Sequence, residues 1–105
     1  MSFAPGILEG KTAVVTGGAT GIGSYIARML GTLGAKVGIV SRKEENLKAA
    51  VEAFKNEDGL DVLWRVGDVR VPDLIKEVVE ELAGEMGGLD ILVCNAAGNF
   101  ICPTE

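Results

Sequence analysis

Three glycines stand in a run of small residues between an apolar segment and a segment with helical periodicity. Residues 16–23 read Thr-Gly-Gly-Ala-Thr-Gly-Ile-Gly, which spaces Gly17, Gly21 and Gly23 as Gly-x-x-x-Gly-x-Gly. Glycine lets the chain turn tightly and lets main-chain N–H groups approach a phosphate with no Cβ in the way. The helix that follows would direct the positive end of its dipole at a pyrophosphate. The turn therefore predicts a dinucleotide-binding site, and a plain glycine-rich surface loop is the alternative.

Two basic side chains follow the second predicted strand. Arg42 and Lys43 come directly after Ser41, where NAD-binding folds usually carry an acidic residue that accepts a hydrogen bond from the ribose 2′-OH. An arginine at this place can instead pair through two hydrogen bonds with a 2′-phosphate, and Lys43 adds a second positive charge. We therefore predict NADP(H) rather than NAD(H) as the cofactor. The alternative is that both side chains are solvated loop charges.

Polar side chains also follow the third and fourth predicted strands. Asp68 would lie over the crevice at the carboxyl end of the sheet, where its carboxylate can accept from an adenine amino group. The same residue could instead cap the next helix. Asn95 and Asn99 belong to a run of small residues, and small side chains let a cofactor ribose approach the backbone. Turn formation is the alternative role of both asparagines.

The remaining residues offer neither a catalytic group nor a metal site. Histidine is absent and no nucleophile has a base beside it, so we predict no catalytic residue within residues 1–105. The acidic side chains between residues 77 and 85 fit a solvated helix face better than a metal site, so we predict no metal. The candidate cofactor-binding residues are Gly17, Gly18, Thr20, Gly21, Ile22, Gly23, Arg42, Lys43, Asn46, Asp68, Val69, Asn95 and Ala96.

Apolar segments and segments with helical periodicity alternate along the chain, and they must position these residues. Because parallel strands are joined by right-handed crossovers, this alternation predicts an α/β fold. We expect the N-terminal half of a Rossmann doubly wound parallel sheet, β-α-β-α-β-α-β, with the strand order 3-2-1-4. Strands are predicted at residues 12–16, 36–40, 61–66 and 90–94.

Helical periodicity predicts which side chains the three helices bury. The apolar stripe of the first helix opens at Ile22 and includes Tyr25 and Met29. The stripe of the second includes Phe54, and that of the third includes Leu74. We expect Tyr25, Met29 and Phe54 to pack in the core rather than to carry chemistry.

Length, charge and cysteine content narrow the class of protein. A chain of 105 residues is about one domain, and a formal net charge of -5 argues against broad binding to nucleic acid or to an anionic membrane. The sequence shows no secretory segment and no apolar run of bilayer length. Together with these features, Cys94 and Cys102 suggest reduced thiols and an intracellular, cytoplasmic protein, while a peroxisomal or mitochondrial location stays open.

The motifs taken together resemble the short-chain dehydrogenase/reductase family over nearly the whole chain. The likeness rests on residues 16–23, on Asp68-Val69 and on Asn-Ala-Ala-Gly at 95–98. The resemblance implies that the three glycines form the glycine motif, that Asp68 contacts adenine, and that the segment after the fourth strand steadies the sheet beside the cofactor. Residues 94–98 read Cys-Asn-Ala-Ala-Gly, with an extra alanine relative to the common form of the family.

Within that family, residues 95–105 together with Ser41-Arg42 and residues 68–70 resemble the 2,4-dienoyl-CoA reductases. The resemblance implies that Arg42 and Arg70 help to hold the phosphates of NADP and of an acyl-CoA substrate, and that Phe100 lines the acyl site. It implies hydride transfer from NADPH to a conjugated dienoyl thioester, followed by protonation, in the oxidation of unsaturated fatty acids.

The resemblance also places the family's substrate-polarising Ser, Tyr and Lys after Glu105. We therefore expect residues 1–105 to be a single, partial NADP-binding domain that is inactive alone and is truncated before the catalytic segment. The full-length parent is expected to be an NADP-dependent reductase and a homo-oligomer. Two alternatives stay open: another short-chain reductase acting on 3-oxoacyl thioesters, alcohols or ketones, or a non-catalytic nucleotide-binding module if the chain is complete.

Overall fold

Four strands alternate with three helices, in the order that the sequence predicts. A computed structural model describes residues 6–17, 19, 21–68 and 70–95 of the chain. β1 matches its predicted bounds, β2 extends one residue further to Ser41, and β3 and β4 each begin one residue later than predicted. The elements are β1 Thr12–Thr16, α1 Gly21–Thr32, β2 Lys36–Ser41, α2 Glu44–Asp58, β3 Val62–Val66, α3 Pro72–Met86 and β4 Ile91–Cys94.

The strands form one parallel sheet in the order β3-β2-β1-β4, which confirms the predicted order. Thr16 pairs with Val40 of β2 and with Cys94 of β4, and Ser41 pairs with Val66 of β3. All four strands therefore end at one side of the sheet, here called the carboxyl edge. The opposite side, where the strands begin, is the amino edge.

The two faces of the sheet carry separate apolar cores, because successive residues of a strand point to opposite faces. Val15 of β1 belongs to the core under α1 and α2, and its neighbour Val14 belongs to the core under α3. Both side chains are fully buried. Strands covered on both faces are typical of parallel sheets. The first core includes Ala27, Ile39, Leu47 and Phe54, and the second includes Val40, Ile75, Val79 and Leu82.

Helix α1 buries only part of the apolar stripe that its sequence predicts, because Ile26 and Leu30 pack against the core but the larger side chains before them do not. Tyr25 is 68% exposed and Met29 is 39% exposed, so the prediction that they pack in the core is wrong. The buried residues of α1 are Gly23, Ala27 and Gly31. This small-residue face lets α1 lie close to its neighbours: a Cβ on Gly31 would come within 2.8 Å of a Leu60 methyl group.

The other two helices follow their predictions more closely. Phe54 of α2 is 1% exposed, as expected for a core residue. In α3, Ile75, Val78 and Leu82 are buried, whereas Leu74 is 39% exposed at the rim of the predicted stripe. Within the described ranges, none of the three helices has the length and hydrophobicity of a transmembrane span.

Candidate functional site

The glycine turn connects β1 to α1 at the carboxyl edge. Gly17 has a φ of 68°, a backbone conformation that favours glycine, and its N–H donates to the carbonyl oxygen of Val40 at 2.7 Å. Gly21, with a φ of 59°, is the first residue of α1. The predicted order of strand, turn and helix is therefore confirmed. Gly18 and Thr20 lie outside the described residues.

The start of α1 is packed against the turn and against the end of β4. A Cβ on Gly17 would overlap the main-chain oxygen of Asn95. A Cβ on Gly23 would overlap the main-chain oxygen of Gly17 and would lie 2.7 Å from Nδ2 of Asn95. Two of the three predicted glycines are thus required by close approach of the backbone.

The first turn of α1 is open to an anion. The first N–H groups of a helix have no partner within the helix, and they carry its partial positive charge. No acidic side chain lies in the first turn of α1. Gly21 and Ile22 are exposed, Ile22 by 71%, and a Cβ built on Gly21 would meet nothing within 4 Å. This arrangement suits a phosphate group.

Thr16 joins the end of β1 to the end of β4. Its hydroxyl donates to the carbonyl oxygen of Val93 at 3.3 Å and accepts from the N–H of Asn95 at 3.2 Å. The Thr16 side chain is fully buried, so these contacts hold Asn95 in place beside the glycine turn. The sequence motifs predict no role for Thr16, although a polar residue at the end of an apolar strand is a signal for one.

Arg42 and Lys43 follow β2 at the same edge, and both are exposed. Neither forms an ion pair with any described residue, whereas Arg28, Arg65 and Arg70 all do. The carbonyl oxygen of Lys43 accepts from the N–H of Asn46, in the first turn of α2, at 3.1 Å. The two unpaired cations can therefore attract an anion from solution.

Asp68 and Arg70 are bound to each other just beyond β3. The Asp68 carboxylate accepts from the Arg70 backbone N–H at 2.9 Å, from Nε at 3.0 Å and from Nη2 at 2.8 Å. The Arg70 side-chain hydrogen bond, and secondarily its backbone hydrogen bond, lower the pKa of Asp68 to about 2; the same contact raises the pKa of Arg70. Asp68 does not cap α3, because the helix begins at Pro72 and Val71 is its N-cap.

The ends of β2 and β3 bring Arg42 close enough to Asp68 for its charge to act on the carboxylate. The charge of Arg42 makes a smaller contribution to the low pKa of Asp68 than Arg70 does. The strand ends are fixed by the N–H of Gly67, which donates to the carbonyl oxygen of Ser41 at 2.9 Å. The cations Arg42 and Arg70 and the carboxylate of Asp68 thus lie in the same part of the carboxyl edge.

The described part of the predicted site therefore lies at one edge of the sheet. The described residues contain no cluster of metal-ligating side chains and no nucleophile paired with a base. Cys94 is disulfide-bonded, so the expectation that it is a reduced thiol is wrong. Five predicted site residues lie outside the described ranges: Gly18, Thr20, Val69, Ala96 and Phe100. Asn99 and Cys102 lie outside them as well.

A nicotinamide dinucleotide fits the donor set on this edge. The start of α1, where Gly21 is exposed and no acidic side chain lies in the first turn, leaves room and N–H groups for a pyrophosphate. The carboxylate of Asp68 is a hydrogen-bond acceptor, and Arg42 supplies a cation next to it. The arrangement has the chemistry that a nucleotide requires, namely N–H groups for phosphate and an acceptor for adenine.

Comparison with known proteins agrees with this geometry. The chain is 39% identical over 103 residues to a peroxisomal 2,4-dienoyl-CoA reductase of Arabidopsis thaliana, covering 98% of this chain and 34% of that protein. It is 43% identical over 102 residues to a probable 2,4-dienoyl-CoA reductase of Caenorhabditis elegans, covering 95% of this chain and 33% of that protein. The chain thus spans about one third of the length of these relatives.

Solved structures share the fold. L-sorbose reductase of Gluconobacter frateurii, complexed with NADPH and L-sorbose, superposes with a TM-score of 0.78 at 38% identity, over 87% of this chain and 35% of that one. A 2-keto-3-deoxy-D-gluconate dehydrogenase of Streptococcus agalactiae gives a TM-score of 0.82 at 35% identity, over 90% and 35%. The family model described as short chain dehydrogenase matches residues 11–105. With its Rossmann-like sheet, its glycine turn and this match, the chain belongs to the short-chain dehydrogenase family.

Proposed function

We propose that this chain binds NADP(H) at the carboxyl edge of its sheet and forms the cofactor-binding part of an NADPH-dependent reductase. The observation that carries the proposal is that Arg42 and Lys43, directly after β2, form no ion pair with any described residue and follow the strand next to β1, from which the chain turns to the exposed start of α1 at Gly21. The family membership supports an oxidoreductase, and the preference for NADP(H) is inferred from these two side chains.

The pyrophosphate would lie at the start of α1. Its charge would be matched by the N–H groups of the first helical turn rather than by basic side chains. Gly17 and Gly23 let the strand-to-helix turn, the start of α1 and the end of β4 pack closely, and Thr16 holds Asn95 beside them. The chain's own role here is to fix the backbone before the ligand arrives, which lowers the entropic cost of binding.

The adenosine half would lie across the ends of β2 and β3. Asp68 is ionised at neutral pH, because its pKa is about 2, so it can only accept hydrogen bonds. That suits the amino group of adenine, which donates. A 2′-phosphate would be held by Arg42 through two hydrogen bonds and attracted by Lys43, and the position is favourable because no carboxylate follows β2 before Glu44.

The parent enzyme is proposed to be a 2,4-dienoyl-CoA reductase. Two observations support this. Both relatives are named as 2,4-dienoyl-CoA reductases, and the sequence around Arg42, around Arg70 and from Asn95 onward resembles that group of enzymes. When bound, NADPH supplies a hydride to the conjugated dienoyl thioester, and a proton completes the reduction. Arg70, with a side chain 70% exposed, is proposed to meet a phosphate of CoA, and Phe100 is proposed to line the acyl site.

We also propose the partners and the cellular location of the full-length protein. The full-length protein is proposed to be an intracellular homo-oligomer that takes acyl-CoA and has no nucleic-acid or membrane partner. The net charge of -5 supports only the part of this proposal that excludes nucleic-acid and membrane partners. Several relatives are named as peroxisomal proteins, so peroxisomes stand beside the cytoplasm as the proposed compartment.

A second candidate is a short-chain reductase that acts on a smaller carbonyl compound. The similarity to L-sorbose reductase favours this candidate. Its identity to this chain is 38%, and that of the Arabidopsis relative is 39%. The two candidates share the cofactor site, so only the substrate separates them.

The experiment is a substrate panel with the full-length parent protein. NADPH oxidation is followed with 2,4-hexadienoyl-CoA, a 3-oxoacyl-CoA and L-sorbose, at equal concentrations. We expect oxidation with the dienoyl thioester and little with the other two. Turnover of a 3-oxoacyl thioester or a sugar without turnover of the dienoyl thioester would reject the dienoyl-CoA assignment, and it would leave the NADP site intact.

A further inference from the structure

The Asp68–Arg70 pair is a local contact that folds the arginine back over its own turn. The two residues are separated by one position, yet the carboxylate contacts the Arg70 backbone N–H, Nε and Nη2. Three contacts fix both the backbone and the plane of the guanidinium. The other N–H groups of Arg70 have no partner in the part of the chain that the structure describes.

This pair is exposed and can open. The Arg70 side chain is 70% exposed and that of Asp68 is 25% exposed. Ion pairs at such positions are held weakly, because water solvates both groups. A phosphate monoester carries more negative charge than one carboxylate and accepts two hydrogen bonds from a guanidinium. Such a group, placed near the ends of β2 and β3, would compete with Asp68 for Arg70.

Arg42 links the competition between a phosphate and Asp68 for Arg70 to the proposed nucleotide site. Its charge already acts on the Asp68 carboxylate, so a phosphate held by Arg42 would lie near the same carboxylate that holds Arg70. Repulsion between phosphate and Asp68 would weaken the pair further. NADP carries its phosphate monoester at the 2′ position of its adenosine ribose, and CoA carries one at the 3′ position of its own adenosine ribose.

We propose that Asp68 is a positioning residue that holds Arg70 in reserve, and that a ribose phosphate monoester draws Arg70 away from Asp68. The inference rests on the proposed function, because it requires an adenosine phosphate at this edge. Asp68 thereby tempers the attraction of the site for phosphate, and Arg70 becomes a ligand contact only when the phosphate is present. A structural turn residue would shape the backbone and nothing more.

The test is a double-mutant cycle read out as binding. The proteins are the wild type, Asp68→Asn, Arg70→Gln and the double variant, with Asp61→Asn as a control that makes the same charge change at the exposed amino edge of β3. Dissociation constants are measured by calorimetry for adenosine 2′,5′-bisphosphate, adenosine 3′,5′-bisphosphate and 5′-AMP. The quantity compared is the ratio of the 5′-AMP constant to each bisphosphate constant, since this ratio cancels any loss of adenine binding.

We expect Arg70→Gln to lower the ratio about tenfold, as loss of a charge-assisted hydrogen bond does. Asp68→Asn is expected to raise the ratio several-fold when Arg70 is present and to leave it within twofold when position 70 is Gln. Asp61→Asn is expected to leave the ratio unchanged. The bisphosphate that shows the coupling identifies the source: the 2′ compound indicates NADP and the 3′ compound indicates CoA.

An equal effect of Asp68→Asn in both backgrounds would mean that the carboxylate acts only through its charge, and it would overturn the inference. An unchanged ratio in Arg70→Gln would overturn it as well, while 5′-AMP binding would keep the proposed function. Failure of the folded wild type to bind any of the three nucleotides would reject the proposed function and, with it, this inference.

Discussion

Gly23 lies directly against the main-chain oxygen of Gly17, so that a Cβ at position 23 would overlap this oxygen. The contact brings the first turn of α1 onto the strand-to-helix turn. It also brings Gly23 close to Nδ2 of Asn95, at the end of β4. One glycine therefore sets the positions of three segments that belong to the proposed cofactor site.

The first prediction follows from this contact. Gly23→Ala should lower the free energy of unfolding by about 3 kcal/mol, because the added methyl must displace backbone atoms. NADPH binding should be lost even where the variant stays folded, since the turn and α1 must separate. Urea unfolding followed by circular dichroism, together with calorimetric titration, measures both effects.

Gly84→Ala is the matched control for that variant. Gly84 lies inside α3, and a Cβ there would meet nothing within 4 Å. Because alanine is a better helix former than glycine, this change should raise the free energy of unfolding by about 0.5–1 kcal/mol and leave NADPH binding unchanged. Equal behaviour of the two variants would contradict the packing of the turn described here.

Thr16 provides the second prediction. Thr16→Val keeps the shape of the side chain but removes the hydroxyl that contacts the carbonyl oxygen of Val93 and the N–H of Asn95. We expect a loss of about 1–2 kcal/mol of stability and weaker NADPH binding, because Asn95 is no longer held. Thr16→Ser keeps the hydroxyl and should retain binding close to wild type. Equal NADPH affinity of the serine and valine variants would show that the Thr16 hydroxyl does not support the binding site.

The third prediction concerns the amino edge, far from the proposed site. Asp90 Oδ2 accepts from the Thr12 N–H at 2.9 Å, and the Thr12 hydroxyl donates to the carbonyl oxygen of Gly88 at 2.7 Å. Asp90→Ala should therefore cost about 1–3 kcal/mol of stability, because it leaves the part-buried N–H without its side-chain partner. The NADPH dissociation constant, measured below the unfolding transition, should not change. A large loss of affinity in a folded Asp90→Ala protein would show that the two edges are not independent.

The fourth prediction is a pH dependence at Asp68. Its folded-state pKa, about 2, lies below its ordinary value of 3.8, mainly because of the Arg70 side-chain hydrogen bond. A lowered folded-state pKa means that the contact stabilises the fold above pH 3.8, and that this contribution is lost as the pH falls toward 2. NMR titration of the Asp68 carboxyl carbon should give a midpoint near 2 in the wild type.

Arg70→Gln should move that midpoint upward, toward 3.8, because the guanidinium no longer favours the carboxylate. Part of the lowering should remain, since the backbone N–H of residue 70 and the charge of Arg42 still act on the carboxylate. A wild-type midpoint at 3.8 would show that the pair is open in solution.

The sheet order could be predicted from the sequence because a local pattern of apolar residues indicates each strand and each helix. The apolar run before Gly17 and the helical stretch after it determine a parallel crossover, and the other crossovers follow the same rule. The buried face of α1 could not be predicted in this way. Its large residues at Tyr25 and Met29 repeat with helical spacing, but close packing requires glycine at position 23, against the turn, and at position 31, against Leu60.

The site residues divide along similar lines. The glycine pattern indicated Gly17 and Gly23 because their packing depends on the residue type at a single position, and the role of Arg42 stays a prediction. The hydrogen bonds of Thr16 and Asp90 could not be predicted from the sequence. They join residues 77 to 79 positions apart, which only the folded sheet brings together.

The central claim is that Arg42 selects NADP(H) at the carboxyl edge. The most direct measurement is the pair of dissociation constants for NADPH and NADH, determined for the wild type and for Arg42→Gln, with Lys36→Gln at the amino edge as the charge control. We expect the wild type and Lys36→Gln to bind NADPH about tenfold or more tightly than NADH, as a charge-assisted contact to the 2′-phosphate does, and Arg42→Gln to lose most of this preference. Equal affinity of the wild type for the two cofactors, or tighter binding of NADH, would contradict the account.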